Sequence, residues 1–468
     1  MTGLPPAADD QAVVIEFLSA PASYGVASAV QRVDTHCSIV FLVGDRAYKL
    51  KRAIRYASLD YTTRELRQAA CAAELWLNRR SAPDLYLGVR SVTHDRNGGL
   101  TFDGSGPALD HVVVMRRFAQ SDLFDRMALA GRLTPALMRA LGEAVADLHG
   151  IAERTPQYGG AEAIGRVITD NERELATVAT ELDGAAVSTL GRRARAWLGR
   201  LAAVLDARRD EGMVRRCHGD LRLANICLYH DRPTLFDCIE FSDEIGCIDV
   251  LYDLTFLLMD LLVSGHSDFA NAVFNAYLDR APETAGLQVL PLFLALRAAT
   301  RSYALAGGAA RRTDPEDAAH LLAFAHRHID AGIEFLAPST PALIVLGGAE
   351  QRARADLAAA VGGIVAPAPG ARILHLYPPS DPWQWQSASA TLSAGCSVLV
   401  DASFADCADQ VKAIEVAADR EVSLLGFWIG PLPGHLESRL WQALDAASTD
   451  LARQAVAARL VRLGARRA

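Results

Sequence analysis

The sequence predicts an α+β protein in three parts: a β-rich opening up to residue 118, a helical stretch from 119 to 336, and a small α/β domain with a parallel sheet from 342 to 468. Three observations predict this. Strand-type runs cluster before residue 118, helical periodicity dominates the middle, and short apolar runs alternate with helical stretches after residue 342. A chain of 468 residues is also too long for one ordinary core.

Residues 1–10 read as a loose tail, and residues 11–36 mix short helix and turn signals. Cys37 to Val43 is a β-type run, Gly44-Asp45 a hairpin turn and Ala47 to Lys51 a second strand. From Thr62 to Arg80, Leu66, Ala70, Ala73 and Leu77 recur at helical spacing among charges. Leu85 to Val92 and His111 to Phe118 read as strands around a Gly-rich turn at 97–106. Thr134-Pro135 is an N-cap and N1 pair before the helix Ala136 to His149. Helical patterns fill 160–212 and return from Val250 to about 336. Between them lies a segment with its own strand signals, Ile226-Cys227-Leu228 and Thr234-Leu235-Phe236 about the polar turn His230-Asp231-Arg232-Pro233. Residues 337–341, Ala-Pro-Ser-Thr-Pro, form a short stiff linker. Beyond it, Leu343 to Leu346, Ile373 to Leu376, Ser397 to Val400 and Val422 to Phe427 read as strands of a parallel sheet.

Bulk properties exclude several classes. The net charge is −8 and no basic run is long, which argues against nucleic acid as a partner. Eight cysteines are scattered without a C-x-x-C pair, so reduced thiols are expected rather than zinc or a disulfide framework. The stretch MTGLPPAADDQ lacks a basic-then-apolar signal pattern, and the apolar run Leu254 to Val263 is too short to span a bilayer. A cytoplasmic protein with no membrane partner is expected.

Chemistry concentrates in CHGDLRLANICLYHDRPTLFDCIEF, residues 217 to 241. Asn225 follows Asp220 by five residues, and Asp237 lies twelve beyond Asn225. Phosphoryl transfer needs an acid to take the proton of an attacking hydroxyl, oxygen ligands for Mg²⁺, and a cation on the nucleotide phosphates. Asp220, Asn225 and Asp237 meet the first two needs. HGDLRLAN followed by LFDCIEF resembles the catalytic loop and metal strand of the aminoglycoside-phosphotransferase-like kinases, relatives of the protein kinases. The resemblance implies a bilobal protein-kinase-like fold over residues 11–336, with ATP and Mg²⁺ as cofactors. It makes Asp220 the catalytic base and Asn225 a metal ligand. For the second ligand, Asp237 has the better spacing, whereas Glu240 in I-E-F better mimics the family's I-D-F triplet. Asp237 is preferred, with Glu240 near the metal or the substrate. His218 is expected to support the loop, and Asp249 and Asp253 to cap and brace it.

The cation should come from the β-rich segment. Lys49 and Lys51 share one face of a strand because side chains alternate, so one of them should reach the phosphates with Glu74 holding it. Lys49 is the choice. No G-x-G-x-x-G covers the phosphates. Thr35 and Ser38, in DTHCS, stand where such a loop would end. Val114-Met115-Arg116-Arg117-Phe118 resembles the inter-lobe hinge, with Met115 beside the adenine. Arg297 and Arg301, four apart on one helix, are candidates to grip the substrate.

The last domain has the outline of a P-loop kinase without its chemistry. Set against G-x-x-x-x-G-K-[ST], Gln351 and Ala353 stand where Gly residues are wanted, Arg354 for the Lys and Ala355 for the Ser or Thr. Val398 to Asp401 resembles a Walker-B strand. This degenerate part is expected to serve packing, substrate gating or a homodimer contact, with Trp383, Trp385 and Trp428 in core or interface. The expected function is therefore an ATP- and Mg²⁺-dependent kinase of a small hydroxyl compound, such as a sugar, amino sugar or aminoglycoside. A non-catalytic nucleotide-binding scaffold is the alternative. A Ser/Thr protein kinase is weaker, since no A-P-E segment lies between Glu240 and Asp249.

Overall fold

The computed structural model describes residues 11–56, 58–376, 382–405, 407–434, 436, 439–444 and 449–465. The expected tail at 1–10 lies outside them. The chain divides into two compact units: Met1–Leu133 with Ile151–Glu153 and Arg215–Ile248, and Thr134–Gly150 with Arg154–Val214 and Asp249–Ala468. Compactness thus groups the HGD segment with the β-rich opening, and the rear α/β part with the helical stretch.

The first unit is built on a six-stranded antiparallel sheet in the order β1-β2-β3-β8-β6-β7. These strands are β1 (Gln31–Asp34), β2 (Ser38–Val43), β3 (Arg46–Lys51), β6 (Tyr86–His94), β7 (Leu100–Phe102) and β8 (Ala108–Arg116). Between β3 and β6 come a two-rung hairpin, β4 (Arg55–Tyr56) and β5 (Leu59–Asp60), and a long helix. Helix α1 (Ala12–Ser19) adds Val14 and Leu18 to the core on one sheet face. The strand β1, absent from the sequence reading, is exposed at all four positions and so carries no alternation to read.

Helix α2 (Arg64–Asn78) starts at Thr63, whose side chain accepts from the Leu66 amide at 3.3 Å. Its buried face is Arg67, Ala70, Cys71, Glu74, Leu77 and Asn78, while Leu66 and Trp76 are exposed. The helix is turned by about one position from the expected stripe, because Arg67 and Glu74 have buried partners of opposite charge. After the short helix α3 (Phe124–Leu129), the first unit takes up the HGD segment: a hairpin of β10 (Ile226–Tyr229) and β11 (Arg232–Leu235), then the one-turn helix α7 (Asp243–Gly246). The short strands β9 (Val214–Arg216) and β12 (Cys247–Asp249) lead into and out of this segment.

In the second unit, helices α4 (Pro135–Ile151), α5 (Gly160–Thr177), α6 (Gly184–Asp210), α8 (Val250–Val263), α9 (Ser267–Arg280), α10 (Leu290–Ala309) and α11 (Pro315–Phe335) form a bundle. Asp249 caps α8 through the Leu251 amide at 2.8 Å and is gripped by Arg208 at 2.7 and 2.8 Å, and Asp253 meets His149 at 3.1 Å. Among the described residues one stretch, Ala285–Ala309, is long and apolar enough to cross a membrane; 72% of its most apolar 18-residue window is buried inside the protein, as in a core helix. All eight cysteines are without disulfides, and six are buried.

The rear domain is a five-stranded parallel sheet in the order β14-β15-β13-β16-β17. Its strands are β13 (Ala342–Gly347), β14 (Arg372–His375), β15 (Val398–Asp401), β16 (Ser423–Ile429) and β17 (Trp441–Leu444), with α12 (Gln351–Gly362), α13 (Pro382–Ser393), α14 (Cys407–Asp419) and α15 (Thr449–Ala465). Trp385 and Trp428 are buried and Trp383 is exposed. The edge strand β14 is not left open. Asn275 of α9 accepts from the Ile373 amide at 2.7 Å and donates to Ala371 O at 3.0 Å, and Asn271 donates to the same oxygen at 2.9 Å. Two asparagines therefore do for this edge what a neighbouring strand would do. Arg372 pairs with Asp279 at 2.7 Å, and a Cβ on Gly363 would lie 2.6 Å from Ser267 O. The rear sheet is fastened to α9 by backbone-level contacts, and the Pro-rich linker does not make it a separate body.

One buried group should make this unit acid-sensitive. His328 of α11 is fully buried with Nδ1 2.7 Å from Phe324 O, and its Nε2 has no hydrogen-bond partner among the described residues. Burial, aided by the charges of Arg301 and Arg327, pushes its pKa down to about 4 against that hydrogen bond. The unfolded chain takes up the proton first, so stability should be full above pH 6.5 and fall as pH drops towards 4, by up to about 3 kcal/mol. His328→Leu should flatten the slope of Tm against pH in that window, whatever its effect on Tm at pH 7.

Candidate active site

The site grows from helix α2. Arg67 and Asp110, both 1% exposed, pair through three contacts of 2.9 to 3.0 Å, and Gln11 adds a bond to Asp110 at 2.7 Å. This ties α2 to β8. Two turns further along the same face, Glu74 arrives under β3. There it meets both lysines. Lys49 Nζ lies 2.8 Å from Glu74 Oε1 and Lys51 Nζ 2.6 Å from Oε2. Each ammonium has a second carboxylate: Lys49 lies 2.5 Å from Asp237, and Lys51 contacts Glu240, which also accepts from the Tyr61 hydroxyl. The structure thus brings together Lys49, Lys51, Glu74, Asp237 and Glu240.

The two lysines are not equivalent. The Lys49 side chain is 13% exposed and Lys51 only 1%; Asp237 is 43% exposed and Glu240 6%. Two ammoniums face three carboxylates, so the cluster keeps one uncompensated negative charge, at its open end. Burial pulls the Lys49 ammonium down, but Asp237 and then Glu74 outweigh it and hold the pKa well above the ordinary amine value. Burial lifts the Glu74 and Asp237 carboxyls, and the lysines more than reverse this, so both stay below the ordinary carboxyl range.

The HGD segment is laid against this cluster. Gly219 has φ +88°, and a Cβ there would lie 2.9 Å from Ile239, so a side chain at this position is excluded twice. The loop and the segment after the hairpin are stitched together by His218 Nε2 to Phe236 O at 2.9 Å and the Ile239 amide to His218 O at 2.9 Å. His218 is buried and serves as a support. In the hairpin, Ile226 faces Leu235, and His230 and Asp231 both take positive φ, as a two-residue turn requires. Asn225 Nδ2 donates to Asp220 Oδ2 and to Asp220 O, both at 2.8 Å. Arg222 grips the same carboxylate with Nε at 2.7 Å and a second nitrogen at 2.8 Å. Asp237 has φ +64°, held by its amide on the Tyr86 hydroxyl at 3.2 Å and by the Cys238 amide on Asn78 Oδ1 at 2.9 Å. A non-glycine residue kept in this region marks a constrained site.

The other candidates make contacts of their own. Thr35 Oγ1 donates to Ser38 O at 2.9 Å and accepts from the Ser38 amide at 3.0 Å, closing its own turn, and Ser38 is buried. Met115 lies in an apolar cluster with Phe118, Tyr229 and Phe236 around Tyr86 and Val113. Arg297 and Arg301 belong to the second unit. Arg297 is buried, donates to Tyr252 O at 3.1 Å, and rests over the rings of Tyr252 and Phe256 at 3.8 and 4.6 Å. Sequence reasoning missed Arg222, Tyr61 and Tyr86. Arg222, two residues after the central Asp, carried a signal; the two tyrosines carried none.

In the rear domain, Arg354, the residue set against the P-loop Lys in the sequence, turns inward. Arg354 is 3% exposed, its Nε lies 2.7 Å from Asp401 Oδ1, and a terminal nitrogen lies 2.5 Å from Gly348 O. His375 takes the other oxygen of the fully buried Asp401 at 2.8 Å.

The model of the phosphotransferase enzyme family, APH, matches residues 44–290, just over half of the 468 residues. The chain belongs to this family. An uncharacterized protein of Mycobacterium tuberculosis H37Rv is 27% identical over 423 residues, covering 84% of this chain and 82% of the relative. Among solved structures, a choline/ethanolamine kinase family protein from Mesorhizobium loti covers 68% of this chain and 97% of its own, at 18% identity and a TM-score of 0.41. An amicoumacin kinase in complex with AMP-PNP, Ca²⁺ and Ami covers 69% of this chain and 94% of its own, at 15% identity and a TM-score of 0.42. The family assignment rests on the sequence model and on the H-G-D-x-x-x-x-N core.

Glu74 holds two buried ammoniums, so Glu74→Gln should lower stability by about 3–5 kcal/mol, the usual result of breaking a buried pair from one side. Chemical denaturation of the two full chains measures the difference.

Proposed function

We propose that the first unit is an ATP- and Mg²⁺-dependent phosphotransferase site acting on a hydroxyl group of a small molecule, sugar or amino sugar first. The observation that carries this reading is the complete set Lys49, Glu74, Asp220, Asn225 and Asp237, with the residual negative charge and the exposure both at Asp237. The donors offered there, a carboxylate and an amide oxygen, are hard oxygen ligands that fit Mg²⁺. Asn225 turns its Nδ2 to Asp220, which leaves its Oδ1 to serve, with Asp237, as a metal ligand in this reading. Mg²⁺, when bound, supplies neutralisation of phosphate charge.

The chain's own groups do the rest. Lys49, the more exposed lysine, sets its ammonium on the phosphates while Glu74 keeps its direction. Asp220 orients the acceptor hydroxyl and takes its proton as the new O–P bond forms and the bond to ADP breaks. Arg222 occupies both oxygens of Asp220, so an acceptor must replace it on one of them. Met115 and the aromatic rings about it supply an apolar wall for adenine. A peptide acceptor is disfavoured because only α7 and β12 separate Glu240 from Asp249.

The rear domain is read as a degenerate P-loop fold that takes no nucleotide. Arg354 already satisfies Asp401 and the Gly348 carbonyl, where a working loop would offer a Lys and amides to phosphate.

Two measurements test this reading. In a screen of alcohols and sugars for ADP release, Asp220→Asn should cut turnover about 100-fold or more and leave AMP-PNP affinity nearly unchanged. Wild-type binding of AMP-PNP with no turnover on any acceptor would favour the scaffold alternative. In full-length Lys49→Met/Asp237→Asn protein, Mg²⁺-dependent ATP binding should vanish; micromolar binding that survives there and is lost with Arg354→Ala would place a nucleotide in the rear domain.

A further inference from the structure

We infer that Lys51, Tyr61 and Glu240 form a positioning clasp that sets Asp237 and Lys49 for the nucleotide, with Glu240 outside the metal's coordination sphere. The inference rests on the reading of the first unit as a Mg²⁺–nucleotide site.

Spacing favours Asp237 as the metal ligand while the I-E-F triplet keeps Glu240 as its rival, and the geometry separates them. The Glu240 carboxylate is 6% exposed, and one of its oxygens receives both the Lys51 ammonium and the Tyr61 hydroxyl. Burial first, and Glu240 in addition, push the Tyr61 phenol well up, so it is a donor at any working pH. Lys51 lies 5.0 Å from the Tyr61 ring centroid and 3.5 Å from its oxygen. A dication brought to Glu240 would meet a buried ammonium on the same oxygen. At Asp237 the corresponding ammonium belongs to Lys49, and the carboxylate opens to solvent at 43%.

Glu240 has work to do on the other side of the cluster. Its charge holds Lys51, and Lys51 holds Glu74 Oε2, which leaves Oε1 to Lys49. The contacts run in one line: Tyr61, Glu240, Lys51, Glu74, Lys49, Asp237. Remove the Glu240 charge and Lys51 becomes a buried ammonium short of a carboxylate. Glu74 is the carboxylate it already touches, so Lys51 competes with Lys49 for it. The clasp also fixes one end of the segment 237–240, whose middle is held by the Cys238 amide on Asn78 and the Ile239 amide on His218. Asp237, kept at φ +64°, depends on that anchoring for its direction.

AMP-PNP binding to the full chain, titrated at a series of Mg²⁺ concentrations by calorimetry, tests the clasp without any acceptor. Glu240→Gln and Lys51→Met should each weaken AMP-PNP at saturating Mg²⁺ by about tenfold, and the double variant should be no weaker than the weaker single one. The Mg²⁺ midpoint should stay within about twofold of wild type in all three, whereas Asp237→Asn should shift it by about tenfold or more. Tyr61→Phe, which keeps the ion pair, should move affinity in the same direction by about two- to threefold, and it serves if the charge variants do not fold. A Mg²⁺ midpoint displaced by Glu240→Gln as far as by Asp237→Asn would make Glu240 a ligand and overturn the clasp. Lower Tm with unchanged AMP-PNP affinity in Glu240→Gln and Tyr61→Phe would also overturn it, as a purely structural pair. Wild-type protein that binds no AMP-PNP at any Mg²⁺ level would instead sink the reading of the site itself.

Discussion

A single carboxylate with no access to water, Glu74, sets the terms for the first unit. A buried charge of this kind persists only with partners, and here it has two. Two lysines alternate on β3 to reach it, and α2 is pinned by Arg67 and Asp110 so that it arrives under them. Each lysine needs more than half a carboxylate, and each finds the remainder on the segment that follows the hairpin. Strand, helix and HGD segment are thereby bound through one set of charges, although they are far apart in sequence.

That economy of charge also explains why the site faces outward where it does. The Lys51 side of the cluster is shut by Tyr61 and Glu240, and nothing there is left to solvent. On the Lys49 side the last carboxylate is the half-exposed Asp237, and the excess negative charge of the cluster is read out at that point. Asp220 stands on the neighbouring loop, with Asn225 bonded to it and Arg222 across both its oxygens. The acids proposed as base and as ligand are each held by a cation of the chain, and each is open enough for an incoming group to compete for it.

Much of this was legible in the sequence, for identifiable reasons. That Lys49 and Lys51 share one face of β3 follows from strand alternation, a local rule; Glu74 was expected to hold one of them, and it holds both. Asp220 and Asn225 came from a fixed spacing within one loop. Between Asp237 and Glu240 spacing favoured Asp237, but it does not say which of two acids three residues apart has a buried cation waiting for it. Nor was the burial of Arg67, which turns α2 so that Leu66 faces water; the apolar stripe alone pointed the other way. Tyr61 sits after a two-rung hairpin with no periodicity, and its bond to Glu240 spans 179 positions. β1 was invisible because all four of its residues are exposed. The Pro-rich linker misled for a similar reason. It marks a change of local pattern, while Asn271 and Asn275, ordinary polar residues of a helix, decide that the rear sheet is not a separate body.

The rear domain applies the same electrostatics to the opposite end. A phosphate site must keep its cation and its amides uncommitted until an anion arrives. Lys49, proposed for that role, comes nearer to the condition: one of its two carboxylates, Asp237, is 43% exposed and can be drawn off by a metal ion. Arg354 does not meet it. Its guanidinium lies between a carboxylate of zero exposure and a loop carbonyl, and His375 closes the other carboxylate oxygen. An incoming phosphate would have to strip Asp401 of its charge partner inside the protein, at a cost of several kcal/mol, with no Lys or loop hydroxyl to repay it. The buried guanidinium fills the space a phosphate would need, and the stability of the rear domain depends on keeping it paired with Asp401.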